Sequence, residues 1–179
     1  MNSNTYFYKL SNHLIDEETR SILISHATGK SDEFFAYKGQ RTGKEDGNYI
    51  FVRGFLKEVE GVQRLIRACT VECYPLIMKQ HANLKGPIHV DNPNGRNCVI
   101  ITPLIPEKDF VPTNFYTSFE DDVPVASVDY SDGLPALINT QRLHNLNNNN
   151  NLRMNFQLCF ENSFVEIQNL LLANKLFVF

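Results

Sequence analysis

The stretch from Leu134 to Phe160 decides the fold, and it reads LPALINTQRLHNLNNNNNLRMNFQLCF. It contains three short runs rich in apolar residues, at 134–140, 142–146 and 152–160. Asparagine tolerates a positive φ better than most other non-glycine residues, so the asparagine run at 147–151 suits a connection between two strands. We therefore predict three strands here, joined by turns.

Four further runs of the same kind come earlier in the chain, at 88–91, 97–104, 114–119 and 123–130. Turn-forming residues separate the runs, as in Asn92-Pro93-Asn94-Gly95 and Ser131-Asp132-Gly133. Closely spaced short strands with turns between them are typical of a β-sandwich or a β-barrel. Residues 84–160 are thus predicted to form a β core.

The front section, residues 1–83, is predicted to be mainly helical. A short strand at 6–10 precedes a helix that Asp16 caps and Gly29 ends. Residues 36–54 are typical of a loop, with at most a short strand at 49–53. Apolar residues at helical spacing predict a second helix over 57–82, which Pro75 would kink.

The last section, residues 161–179, is predicted to hold a closing helix over 164–174 and an apolar tail at 176–179 that docks on the protein. The whole chain, 1–179, has the length of one domain. The expected fold class is mainly β with flanking helices, and the N-terminal helices should pack outside the core.

Composition places the chain among ordinary globular proteins, with 42% hydrophobic and 21% charged residues. The net charge of −3 argues against binding of extended nucleic acid, although a local basic groove stays open. No membrane span or signal peptide is expected, and a cytoplasmic location is the default. Four scattered cysteines do not suggest a disulfide framework, and a metal site at Cys69 and Cys73 is a minor alternative.

A His-x-Asp motif, His89-Val90-Asp91, lies in the first run of the β core. Alternate residues of a strand share a face, so this imidazole and this carboxylate should project to the same side. His144 is the only other histidine of the β-rich half. Together the three residues could form the two-His-one-carboxylate facial triad of non-haem iron(II) enzymes, which leaves the opposite face of the metal open.

Arg153 stands in an otherwise apolar run, Leu152-Arg153-Met154-Asn155-Phe156. An unpaired buried charge is costly, so this guanidinium needs a partner, and a bound dicarboxylate would satisfy it through a bidentate contact. A two-residue turn centred on Asn148-Asn149 would place Arg153 directly opposite His144 in a hairpin. A different turn would shift that register.

These residues, in the order His89-x-Asp91, His144, Arg153, resemble the iron(II)- and 2-oxoglutarate-dependent oxygenases. The chain is similar to small members encoded in phage genomes in two segments, Leu137-Ile138-Asn139-Thr140 ahead of His144 and Arg153-x-Asn155-Phe156-Gln157. The resemblance covers roughly residues 84–160. It implies a double-stranded β-helix, or jelly roll, in which the second histidine and the arginine lie in opposite sheets.

The resemblance also implies a ligand set. His89, Asp91 and His144 would hold iron(II), 2-oxoglutarate would chelate the metal beside dioxygen, and the distal carboxylate would meet Arg153. Many members carry Ser or Thr two residues after that arginine. Asn155 stands there in this chain, and its amide can also donate a hydrogen bond.

Four more residues near these positions could contribute to the site. Tyr116 and Asn97 are candidate pocket residues, with an ordinary core or surface role as the alternative for each. Arg96 and Arg142 lie close in sequence to the ligands and could touch an acidic substrate. A solvated rim is the preferred interpretation for both arginines.

The predicted function is an oxygenase that hydroxylates a C–H bond of an unidentified small-molecule or peptidyl substrate, with release of succinate and CO2. Two alternatives stay open. One is a cupin-like metal enzyme or zinc hydrolase that does not use 2-oxoglutarate, and the other is a jelly-roll interaction module without catalysis. Loops at 36–54 and 106–113 are expected at the barrel mouth, where selectivity resides.

Overall fold

A computed structural model describes residues 5–29, 35–36, 49–52, 54–80, 82–83, 86–91, 96–105, 110–146 and 152–179. Most of the predicted loops at 36–54 and 106–113 lie outside these residues, as does the asparagine run at 147–151. The strands predicted at 6–10 and 49–53 are present as β1 (Phe7–Lys9) and β3 (Tyr49–Val52). A two-residue strand, β2 (Phe35–Ala36), pairs with β3.

Helix α1 (Glu17–Gly29) begins after Asp16, as predicted. The carboxylate of Asp16 accepts a hydrogen bond of 2.8 Å from the backbone N–H of Thr19, which would otherwise lack an intrahelical partner. The predicted cap is therefore confirmed.

The prediction of one helix over 57–82 is wrong. A short 3-10 turn (Gly54–Lys57) leads into helix α2 (Glu60–Ala68), and the chain then forms strand β4 (Tyr74–Gln80). Pro75 lies inside β4 rather than at a helix kink. The apolar spacing was ambiguous, because Leu76, Ile77 and Met78 are all buried, as in a strand covered on both faces.

Seven strands form the larger sheet, in the order β1-β8-β5-β10-β4-β3-β2. The three strands not yet introduced are β5 (Cys98–Ile105), β8 (Ala136–Asn139) and β10 (Arg153–Phe160). They correspond to the runs predicted at 97–104, 134–140 and 152–160. Strand β10 is central, since it pairs with β4 on one side and β5 on the other.

Three strands form the smaller sheet, in the order β7-β6-β9. They are β6 (Thr113–Phe115), β7 (Ala126–Val128) and β9 (His144–Leu146). Each is shorter than the run that predicted it. The run at 88–91 contributes a single antiparallel bridge, His89 with His144, along the edge of β9.

Two clusters of buried side chains explain how the layers are held together. The first packs the helices against the outer face of the larger sheet, for example Leu23 of α1 and Leu65 of α2 with Phe156 of β10. The second fills the space between the two sheets and includes Phe115 of the smaller sheet and Ile101 of the larger. This is the predicted layout of a β core with helices packed outside.

Helix α3 (Phe164–Leu172) follows β10 and starts at Ser163, whose hydroxyl accepts a hydrogen bond from the Glu166 N–H. The predicted tail is docked at its start, where Leu176 is buried and Phe177 pairs with Cys69, whereas Val178 and Phe179 are exposed. Among the helices of the described residues, none has the length and apolarity to cross a membrane.

Candidate metal and cosubstrate site

Two backbone hydrogen bonds bring His89 and His144 together. Each residue donates its N–H to the carbonyl of the other, at 2.9 Å in both cases. Residues opposed in this way project their side chains to the same face. The two imidazole rings accordingly lie with their centroids 4.5 Å apart.

Asp91 joins the two histidines because it lies two residues after His89 in extended chain. Its N–H donates to the Thr140 carbonyl at 2.9 Å, which continues the pairing. One carboxylate oxygen, Oδ1, lies 3.5 Å from Nε2 of His89 and 4.0 Å from Nε2 of His144. The three predicted metal ligands therefore converge.

Backbone carbonyls orient both imidazoles. Nδ1 of His89 lies 2.9 Å from the Pro87 carbonyl, and Nδ1 of His144 lies 2.8 Å from the Arg142 carbonyl. A carbonyl only accepts, so each Nδ1 carries the proton and donates. In the neutral rings Nε2 then keeps its lone pair, as a metal ligand requires.

The electrostatics of His144 and Asp91 favour a metal-binding state, whereas in the metal-free site those of His89 favour its protonated form. Burial, together with the nearby charge of His89, lowers the pKa of His144 to about 4, so this ring is neutral near pH 7. Burial opposes ionisation of Asp91, yet the hydrogen bond to His89 and the charge of Arg96 outweigh it and hold the pKa of Asp91 well below its usual value. For His89, burial is likewise outweighed by the contacts to Asp91 and Pro87, which raise its pKa.

Arg96 takes part in the site, contrary to the preferred prediction of a solvated rim. Its Nε and one terminal nitrogen contact Oδ2 of Asp91 at 2.6 and 2.5 Å, and the Arg96 side chain is only 23% exposed. The other terminal nitrogen donates to Oε1 of Gln157 at 3.3 Å. Arg96 thus holds one carboxylate oxygen while the other faces the histidines. Arg142 is exposed, as predicted for a rim residue.

Arg153 is completely buried on the facing strand of the larger sheet. It donates to Oε1 of Gln80 at 3.0 Å, and its guanidinium lies over the Phe110 ring, 4.2 Å from the centroid. The Tyr130 ring packs edge-on against Phe110 at 5.4 Å. Neither Phe110 nor Tyr130 was predicted from the sequence, because both reach Arg153 only through the folding of distant segments.

The hairpin that would oppose His144 and Arg153 is not formed. Strand β9 pairs with β6 in the smaller sheet, whereas β10 pairs with β4 and β5 in the larger. The two residues therefore lie in opposite sheets, as the family resemblance implied. Both side chains are buried between the sheets.

Asn155 and Gln157 extend the buried polar row that starts at Arg153, since alternate residues of β10 share a face. Oδ1 of Asn155 accepts a hydrogen bond of 2.7 Å from Nε2 of Gln157. Among the described residues, Nδ2 of Asn155 has no hydrogen-bond partner. Asn155 is fully buried.

The two candidate pocket residues, Tyr116 and Asn97, have partners of their own. Tyr116 is buried beyond the end of β6, and its hydroxyl donates to Oδ1 of Asn145 at 3.1 Å. The Asn97 side chain donates to the Glu161 carbonyl at 2.5 Å, in the loop that follows β10. The structure therefore brings Arg153 and Asn155 together on one face, while Asn97 points to a different contact.

His89, Asp91 and His144 can hold a metal ion, because one ligand atom from each lies within 4.8 Å of the others. They are the only such group in the part of the chain that the structure describes. Two imidazole nitrogens and one carboxylate oxygen suit a first-row divalent metal with open positions, the arrangement of the iron(II) facial triad. The donor set therefore fits iron(II).

Comparison with known proteins finds relatives by structure alone, since no family model and no curated protein matches the sequence. A prolyl hydroxylase from Trichoplax adhaerens, in complex with a peptide fragment of hypoxia inducible factor, superposes with a TM-score of 0.61 at 13% identity and covers 87% of this chain and 83% of that one. A 2OG-Fe(II) family oxidoreductase from Burkholderia pseudomallei gives 0.56 at 11% identity, with 87% and 84% covered. SnoN, an α-ketoglutarate-dependent epimerase of nogalamycin biosynthesis, gives 0.55 at 11%, with 86% and 77% covered.

The chain has the fold of the 2-oxoglutarate and iron(II) oxygenases. The double-stranded β-helix implied by the resemblance is thereby confirmed. This fold and the convergent His-Asp-His group together support iron(II) as the metal and 2-oxoglutarate as the cosubstrate.

Proposed function

We propose that this protein is an iron(II)- and 2-oxoglutarate-dependent oxygenase that hydroxylates a C–H bond of a small-molecule or peptidyl substrate. One observation carries the proposal. A His-Asp-His group at the edge of the smaller sheet and a fully buried arginine on β10 of the larger sheet border the same apolar cluster, since His144 lies against Phe115 and Arg153 lies against Phe110. A metal and a dicarboxylate need these two features together.

His89, Asp91 and His144 are the proposed iron ligands. Iron(II), when bound, couples the oxidative decarboxylation of 2-oxoglutarate to succinate and CO2 with oxidation of the substrate. Arg96 keeps the Asp91 carboxylate ionised and fixes its rotation, so that Oδ1 stays directed at the metal position. The carbonyls of Pro87 and Arg142 do the same for the two imidazoles.

Arg153 is the proposed anchor for the distal carboxylate of 2-oxoglutarate. Its charge is removed from water, and a carboxylate contact is stronger there than at the surface. The Tyr130 hydroxyl, which lies 3.5 Å from the hydroxyl of Thr113, is a further donor in this region. Asn155 and Tyr116 are proposed to line the cosubstrate pocket. Asn97, which is bound to Glu161, is left without a proposed role.

The buried arginine favours the proposal over the alternatives. Keeping a guanidinium between the sheets is costly, and binding the distal carboxylate of 2-oxoglutarate would give that buried charge a function. Peptidyl substrates are included because one structural neighbour is complexed with a peptide. One structural neighbour is an epimerase, so the type of reaction needs a test separate from the test of cosubstrate binding.

The test is anaerobic addition of iron(II) and 2-oxoglutarate to the purified protein. We expect a weak visible charge-transfer band that the His144→Ala variant loses, because one of three ligands is gone. The control variant is His13→Ala, which removes an exposed histidine that is remote in sequence from the three proposed ligands. This variant should keep the band. Metal binding without a response to 2-oxoglutarate would favour the cupin-like class, and failure to bind a divalent metal would favour the interaction module.

The reaction itself is tested by screening peptides and small molecules for succinate formation under labelled dioxygen. Incorporation of one labelled oxygen atom into the product establishes hydroxylation. A product of unchanged mass would instead indicate epimerisation.

A further inference from the structure

Of the two polar atoms in the Asn155 side-chain amide, only the oxygen has a hydrogen-bond partner among the described residues. Its oxygen accepts from Gln157, whereas its Nδ2, fully buried, has no partner among the described residues. A buried N–H without an acceptor costs free energy, and native structures rarely retain one without a reason. The group therefore points to an acceptor that arrives with a ligand.

The orientation of this amide follows from a chain of hydrogen bonds that begins at Asp91. The Asp91 carboxylate only accepts, and the guanidinium of Arg96 only donates. Arg96 donates to Oδ2 of Asp91 and also to Oε1 of Gln157. Because Arg96 cannot accept, the amide oxygen of Gln157 must face it.

The same logic fixes the next amide. With its oxygen turned to Arg96, Gln157 presents Nε2 on its other side, where it needs acceptors. It finds Oδ1 of Asn155 at 2.7 Å and, more weakly, the sulfur of Met78 at 3.7 Å. Asn155 must then direct Nδ2 away from Gln157, along the side of β10 on which Arg153 lies.

We propose that Gln157 is a positioning residue that locks the Asn155 amide, so that Nδ2–H is presented to an acceptor oxygen of the cosubstrate. This inference rests on the proposed function. Asn155 lies between Arg153 and Gln157 on one face of the strand, with about 7 Å between alternate residues. The donor is thus placed between the anchor for the distal carboxylate and the Asp91–Arg96 pair.

The sharpest test is Gln157→Glu. A carboxylate has no donor, so it accepts from Arg96 and draws Nδ2 of Asn155 towards itself, which turns Oδ1 to the cosubstrate. We expect the affinity of the Mn(II)-loaded protein for 2-oxoglutarate, measured by calorimetry, to fall about tenfold or more. The affinity for Mn(II) itself should stay within about threefold, because Asp91 keeps its contact with Arg96.

The added negative charge could weaken binding of a dicarboxylate by repulsion alone, so a double-mutant cycle is needed. Asn155→Leu should also lower the affinity about tenfold, because the donor is lost. In that background there is no amide to turn, so Gln157→Glu should cost less than about a further threefold. The same change at Gln63, in α2, is the control and should have no effect.

The results distinguish a failure of this inference from a failure of the proposed function. If Gln157→Glu leaves the affinity unchanged, or costs the same factor with and without Asn155→Leu, Gln157 does not act through Asn155 and the inference is overturned. If the wild-type protein loaded with Mn(II) does not bind 2-oxoglutarate at all, the proposed function fails as well. Thermal unfolding of each variant identifies any effect that is due to loss of folded protein.

Discussion

The two faces of β10 are equally buried and chemically opposite. On the outer face Met154, Phe156 and Leu158 pack beneath the helices in one apolar cluster. On the inner face Arg153, Asn155 and Gln157 form a polar row between the sheets, and none of the three is more than 2% exposed. The difference separates the face of the strand that packs the fold together from the face to which we assign cosubstrate binding.

A strand covered on both faces ordinarily reads as a continuous apolar run. Alternation of apolar and polar residues ordinarily means that one face meets water. In β10 the alternation is present although both faces are buried, so the polar residues need hydrogen-bond partners from neighbouring side chains or from a ligand. A polar row on the buried face of a central strand is therefore where the proposed binding site is tested.

The largest effect is expected from the outer face. Phe156→Ala leaves a cavity under the helices and should lower the free energy of unfolding by about 3–5 kcal/mol, measured by urea denaturation. The remaining folded protein should bind 2-oxoglutarate as the wild type does, because the inner face is unchanged. Phe119→Ala, at a side chain that is 67% exposed, is the control and should shift stability by less than about 0.5 kcal/mol. A loss of cosubstrate affinity in folded Phe156→Ala protein would show that the two faces are not independent.

The next effect belongs to the inner face. Arg153→Gln removes the charge but can still bond Gln80, so stability should fall less than in Phe156→Ala. Affinity for 2-oxoglutarate should fall by about 2–3 kcal/mol, which is about 30- to 150-fold, while the metal stays bound. Calorimetry on the Mn(II)-loaded protein measures both quantities, with Arg142→Gln as the exposed control. Unaltered cosubstrate affinity would leave the buried arginine with a structural role alone.

The strands of the core could be predicted from the sequence because each is short, apolar and bounded by turn residues. Strand β4 could not. Cys69, Cys73, Leu76 and Ile77 also fit a helical period, and the pairing of β4 with β3 and β10 decides against the helix. Both partners lie more than 20 residues away from β4 in the sequence, so no local window contains the information.

The candidate site divides in the same way. His89, Asp91, His144 and Arg153 could be found from their chemistry, since a His-x-Asp motif and an arginine within an apolar run are unusual in themselves. The contact between Arg96 and Asp91 was missed because residues five apart in an extended chain need not meet, and the Gln157 contacts depend on the packing of β10 beside Arg96. Residue type thus identified the candidate ligands, whereas the residues that orient them could be found only from the fold.

The smallest expected effect tests whether the Tyr130 hydroxyl helps Arg153 to bind 2-oxoglutarate. Burial raises the pKa of Tyr130 to about 12, so its hydroxyl stays protonated, and able to donate, well above neutral pH. Tyr130→Phe keeps the ring that packs on Phe110 and removes that donor alone. Affinity for 2-oxoglutarate should fall about tenfold, equally at about pH 7 and pH 9, because the hydroxyl does not titrate in this range.

Tyr8→Phe provides the matched comparison, because Tyr8 packs in the outer cluster on the other side of the larger sheet. Its cosubstrate affinity should equal that of the wild type. If Tyr130→Phe also binds 2-oxoglutarate normally, the hydroxyl faces only Thr113 and the carboxylate is held by Arg153 without it. A deficit at pH 7 that disappears at pH 9 would show that Tyr130 ionises within the pocket. That would contradict a site dry enough to raise its pKa, and with it the contrast between the two faces of β10.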